Sequence, residues 1–141
     1  LEEDRLALVQ GIKDGLIDVI VSDHLPEDEE SKRLPFAQAA TGAIGVETLL
    51  PLSLEMYHNE SLPLNKIIET LTINPAKILK IKKGSLSKDS DGDICILDLD
   101  SPWAVKADEL KSKSKNSAIE GRKLQGKVLM TFLDGQLVFN L

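Results

Sequence analysis

Ile17-Asp18-Val19-Ile20-Val21-Ser22-Asp23-His24-Leu25-Pro26 is the stretch on which the fold turns. Its first five residues are dominated by β-branched side chains and predict a short strand of the kind buried in a parallel sheet. Pro26 lacks an amide hydrogen, so the strand stops at Ser22-Asp23-His24. Immediately upstream, Leu6, Leu8, Val9, Ile12 and Leu16 recur at helical spacing and predict a helix over 1–14, with Gly15 available as its C-terminal cap. A helix leading into a buried strand is the α/β alternation.

Downstream of the strand, Glu27 to Arg33 reads as a charged loop, and Ala39 to Gly45 is small enough to bring backbone close to a ligand. Val46 to His58 reads as a helix, apolar almost all round and therefore expected to be heavily buried. Leu64 to Leu71 is a second helix. Asn74-Pro75 opens a third, with Asn as N-cap, carrying Ile78, Leu79 and Ile81 and ending at Gly84. The period then changes to extended. Asp93 to Asp98 is a strand entered from the Asp91-Gly92 turn, and Lys127–Leu133 with Gln136–Phe139 flank Asp134-Gly135, a hairpin signal. A lysine-rich connector, 106–115, lies between them, anchored by the packing of Trp103. The division expected is 1–80 as a barrel-type α/β unit, a strand with its helices, and 81–141 as a β unit with a 127–139 hairpin.

Composition narrows the possible functions. The 141 residues are 42% hydrophobic and 28% charged, as in an ordinary globular domain, with net charge -6. That acidity argues against a nucleic-acid partner. The apolar runs are far shorter than the roughly 20 residues that span a bilayer, so no membrane partner is expected. A single cysteine, Cys95, fits a reducing, cytoplasmic setting and reads as a small core residue. The chain opens without Met and enters a helical pattern at once, which suggests a piece of something longer.

Asp23-His24 carries the best context for chemistry. At the C-terminal end of a barrel strand a polar residue reads as catalytic, and a carboxylate there can ligate a metal and move a proton. The alternative is that Asp23 caps a turn while His24 makes a packing hydrogen bond. His58, near a helix end, reads as a surface or capping residue, and Asp89-Ser90-Asp91-Gly92-Asp93 as a turn that lacks the spacing of a calcium loop.

Asp23-His24-Leu25-Pro26 resembles the Asp-His-Ala-Pro-His motif of the dihydroorotases, members of the amidohydrolase superfamily. Glu2-Glu3-Asp4-Arg5, Lys32-Arg33-Leu34-Pro35-Phe36, Gly42 to Thr48, Leu71 to Ala76, Ser112 to Asn116 and Gly126-Lys127-Val128 resemble further family stretches in the same order. The resemblance covers nearly all of this chain and the C-terminal third of such an enzyme. It implies an α/β fold comprising the end of a β/α (TIM-type) barrel followed by part of a small β-sandwich domain. It also implies a zinc-dependent enzyme that interconverts N-carbamoyl-L-aspartate and dihydroorotate in pyrimidine biosynthesis. Asp23 would be catalytic and a metal ligand, and the backbone at Thr41 and Gly42 would touch the small-molecule substrate. The remaining zinc ligands would belong to a missing N-terminal barrel, leaving this chain inactive alone.

Glu27 stands where the family has a second, substrate-contacting histidine. A carboxylate about 4 Å from an anionic substrate costs about 1 kcal/mol even in water. That departure keeps open a non-catalytic homologue serving as an assembly partner of a carbamoyltransferase. Allantoinases and hydantoinases share the fold and are further alternatives. A homo-oligomer is expected.

Overall fold

In the computed structural model, which describes residues 1–141, the α-helices precede the strands. Helix α1 (Glu2–Lys13) has Glu2, Glu3 and Asp4 in its first turn and Lys13 in its last, each matched to the helix dipole. It stops at Asp14, and Gly15 takes the left-handed φ of 72° that the cap requires. Only Val9 and Ile12 are buried, packing with Leu62 and Ile67. Leu6 and Leu8 remain about half exposed, so the buried stripe is narrower than the pattern predicts.

The predicted strand 17–21 is not a strand: these residues form no ladder. A strand exists by virtue of its neighbours' hydrogen bonds, and no strand of this chain pairs with residues 17–21. Its backbone is tied instead to the helices: Ile20 N donates to the Thr70 carbonyl (3.3 Å) and Asn74 Nδ2 to the Asp18 carbonyl (3.0 Å). Ile17 and Ile20 still pack on the α1 cluster, while Val21 is largely exposed.

The loop expected at 27–33 contains a one-turn helix, α2 (Glu29–Lys32). The Asp28 side chain accepts from Ser31 N at 2.8 Å, and this bond holds its carboxyl below the usual carboxylate value. A 3-10 turn, Val46–Thr48, leads into α3 (Leu49–His58), followed by α4 (Leu64–Leu71). Helix α5 (Ile73–Ile78) is shorter than predicted: Lys80 adopts φ 56°, leaving Leu79 and Ile81 outside the helix and exposed. Thr72, not Asn74, occupies its N-cap position, since the Asn74 amide is bound to Asp18. His58 is half-buried, not a surface or capping residue, and its Nε2 is sealed from solvent without a partner.

Strands β1 (Ile94–Ala104), β2 (Lys123–Leu133) and β3 (Gln136–Asn140) form an antiparallel sheet in that order. The β2–β3 turn is Asp134-Gly135 with φ 49° and 76°, the two left-handed residues a tight hairpin demands. β1 runs further than predicted and breaks register between Asp98 and Pro102. There Asp98 Oδ1 accepts from Asp100 N and Ser101 N. Cys95 is exposed rather than in the core, along with its neighbours Ile94 and Ile96, because no helix covers that end of the strand.

Gly126 brings the sheet against the helices. Its φ is 106°, and a Cβ there would sit 2.5 Å from Leu54 Cδ1 on α3, whose side chain is fully buried. Trp103 Nε1 donates to the Gly126 carbonyl (3.0 Å), so the tryptophan does anchor this region. A second core cluster joins Ile44 to Val105, Leu110 and Leu124, across the division expected at residue 80.

Candidate active site

Asp23 follows the unpaired 17–21 segment at a left-handed φ of 44° and is exposed. Its carboxylate makes no hydrogen bond or ion pair within the chain. His24, the next residue, is bound inward. Its Nδ1 accepts from Gly45 N (3.0 Å) and from Val46 N (3.4 Å). An imidazole accepting at Nδ1 carries its proton on Nε2 when neutral. Of the two roles open to this pair, His24 takes the structural one, while the Asp23 carboxylate caps nothing.

Loop 42–45 lies close against 22–25 because two glycines permit it. A Cβ on Gly42 (φ 126°) would stand 2.8 Å from the Leu25 carbonyl oxygen, and one on Gly45 the same distance from that of Ser22. Leu25 N donates to the Ala43 carbonyl (3.0 Å), and His24 and Ala43 form a parallel bridge. Between these segments and α3 opens a cleft of about 640 Å³, with Asp23, Gly42 and Gly45 on its lining and Leu52 and Met56 at its apolar wall.

The sequence-derived site residues divide. Asp23 and Gly42 share this cleft, and Thr41, exposed, is next to it in the chain. Glu27 lines a separate, wholly polar groove of about 560 Å³ with Asp28, Glu29, Lys32, Arg33, Lys113 and Lys115. Its carbonyl accepts from Ser114 Oγ at 2.7 Å. Motif reading picked out the stretches 32–36 and 112–116 but not the work of two side chains in them. Lys32 Nζ donates to the carbonyls of Ala40 (2.6 Å) and Gly42 (3.1 Å), and Asn116 Nδ2 donates to that of Gly42 (2.7 Å). Glu47 is a third omission, its carboxylate accepting from Lys111 N and Ser112 N. Only the backbone groups they satisfy, carbonyls for Lys32 and Asn116 and amides for Glu47, would have pointed to them, and those are invisible in sequence.

No three His, Cys, Asp or Glu side chains converge in the chain. A catalytic zinc usually takes three protein ligands. The chain alone therefore does not build such a site. The unengaged Asp23 carboxylate fits a single ligand of a site completed by other residues, whereas His24 Nδ1 is already committed.

The amidohydrolase family pattern matches residues 1–138. The chain belongs to the amidohydrolase family. Among its members, a dihydroorotase of Ehrlichia chaffeensis is 47% identical over 138 residues, covering 98% of this chain and 31% of the relative. A dihydroorotase of the Wolbachia of Brugia malayi is 46% identical, covering 99% and 31%. Among solved structures, an L-hydantoinase (dihydropyrimidinase) from Arthrobacter aurescens superposes with a TM-score of 0.87 at 34% identity, covering 94% of this chain and 31% of that one. This amidohydrolase chain thus spans about a third of the length of the relatives it matches. None of its helices is long and apolar enough to cross a membrane.

Proposed function

We propose that the chain is the C-terminal third of a zinc-dependent dihydroorotase. On this reading it supplies the last strand and flanking helices of a β/α barrel and part of a small β-sandwich, and the whole protein interconverts N-carbamoyl-L-aspartate and dihydroorotate in pyrimidine biosynthesis. The observation that carries the reading is the unpaired Asp23 carboxylate on the cleft it shares with Gly42, in a chain 47% identical to a dihydroorotase.

Asp23 would hold the metal as one ligand, the others coming from the rest of the barrel. Zinc, when bound, would supply Lewis acidity that eases loss of a proton from water near neutral pH. The Asp23 carboxylate would accept that proton at an oxygen and return it to the departing ring nitrogen. The Thr41–Gly42 backbone would contact the substrate, the Gly42 carbonyl being already engaged by Lys32 and Asn116. Glu27 would reach substrate from the polar groove. There Lys32, Arg33, Lys113 and Lys115 would offset part of the repulsion between its carboxylate and an anionic ligand, against the further carboxylates of Asp28 and Glu29.

The test is to purify the whole protein and measure ring closure of carbamoyl aspartate beside ring opening of hydantoin and allantoin. Zinc-dependent closure of carbamoyl aspartate is expected. Preference for hydantoin or allantoin would reassign the substrate. A protein inactive on all three that copurifies with a carbamoyltransferase would establish the assembly role instead.

A further inference from the structure

Asn116 meets the Gly42 loop twice. Its carbonyl accepts from Ile44 N (2.9 Å), and its side-chain Nδ2 donates to the Gly42 carbonyl (2.7 Å), 74 positions away in sequence. Lys32 Nζ takes the same oxygen at 3.1 Å. A carbonyl has two lone pairs, so this one is fully used. The next residue, Ser117, forms a parallel bridge with Ile44, and Ser114 Oγ donates to the Glu27 carbonyl. Residues 114–117 therefore touch the 42–45 loop of the cleft and, through Glu27, the neighbouring polar groove.

The loop needs such support. Ala39, Ala40, Thr41 and Gly42 carry little side chain to pack, and Gly42 sits at φ 126°, where glycine gains freedom and loses order. Two fixed donors on one carbonyl orient the peptide plane that follows it. An amide on one side and an ammonium on the other do this without placing a negative charge in the opening.

We infer that Asn116 is a positioning residue, whose carboxamide acts with Lys32 to aim the Thr41–Gly42 backbone into the Asp23 cleft. The inference rests on the reading of Asp23 and Gly42 as parts of one substrate site. A carbonyl that loses its partner regains mobility, and one hydrogen bond corresponds to about a fivefold to tenfold effect.

The test uses the whole protein with Asn116→Ala, and Asn116→Asp, which keeps the shape but removes the donor, should the alanine variant fail to accumulate. KM for the substrate should rise about fivefold to tenfold, with kcat changed less and metal content unchanged. Amide hydrogen exchange should accelerate in a peptide covering 40–46 and stay as in wild type over β2 and β3. Wild-type exchange in that peptide overturns the inference, and so does an unchanged KM beside a lowered Tm, the mark of a merely structural bond. A wild-type protein without amidohydrolase activity would sink the functional reading instead, and the exchange comparison would still decide whether Asn116 holds the loop.

Discussion

Asp23 and His24 are adjacent in sequence, yet the left-handed turn at Asp23 separates their roles: the imidazole is drawn inward to the amide of Gly45 while the carboxylate stays unengaged at the cleft. Replacing Asp23 by Asn keeps the shape and removes the base. In the whole protein, Asp23→Asn should lower turnover by roughly 10²–10⁴-fold, as expected for loss of a positioned acid–base group, and should lower bound zinc as well. Near-normal turnover, measured beside metal content, would show that Asp23 is not part of the chemistry. Glu27 offers a second test. If substrate passes through the polar groove, Glu27→His removes one negative charge near an anionic ligand and should lower KM by about fivefold, the equivalent of about 1 kcal/mol at 4 Å in water. An unchanged KM would place Glu27 off the substrate path.

The elements are held together by features that act between them. Gly126 is the point where β2 meets α3, and any side chain there confronts both the buried Leu54 and an unfavourable φ of 106°. Gly126→Ala should cost about 1–3 kcal/mol, in the range of overpacked cores, read as a lower urea midpoint at constant slope. An undiminished midpoint would mean that Leu54 can retreat freely. At the opposite end of the sheet, Asp93 accepts from Asp134 N (2.9 Å) and pairs with Lys83 (2.5 Å), tying the turn before β1 to the hairpin tip. The Asp134 amide, then Lys83, hold the Asp93 carboxyl below its ordinary value of 3.8. A carboxyl depressed in the folded state contributes stability above its unfolded pKa and loses it as pH falls through the folded one. The Asp134-Gly135 amides should therefore exchange faster below about pH 4 than intrinsic chemistry accounts for. Asp93→Asn should abolish that pH dependence; its persistence would move the effect elsewhere.

At the scale of the molecule the core is thin. Only 16 of 141 residues are buried, and the accessible surface is 9860 Å². A compact monomer of 15.4 kDa exposes roughly 7,200 Å². Apolar side chains contribute to it: Phe36 is wholly exposed, and Leu6, Leu8, Leu16 and Val21 are each at least half exposed. Monomers seldom tolerate contiguous apolar patches beyond a few hundred Å². The 141-residue chain on its own should accordingly self-associate, as seen by light scattering, and bind zinc no better than an isolated carboxylate does, as seen by calorimetry. A strictly monomeric chain with stoichiometric, sub-micromolar zinc binding would contradict both expectations.

Local signals were legible where the physics is local. The α1 and α4 spans and the Asp134-Gly135 turn follow from side-chain period and glycine at positive φ, each acting within a few residues. The sequence by itself also marked Ala39 to Gly45 as able to bring backbone close, which Gly42 does against the Leu25 carbonyl. Pairing and burial were decided only in the tertiary structure. Residues 17–21 are not a strand, because a ladder needs a neighbour. Cys95 is exposed because no helix reaches its end of β1, and Asn74 leaves its cap for the Asp18 carbonyl 56 positions away. The support that Lys32 and Asn116 give Gly42 belongs to the same class: it depends on which distant groups the folded chain brings within 3 Å of one oxygen, a distance no spacing in the sequence encodes.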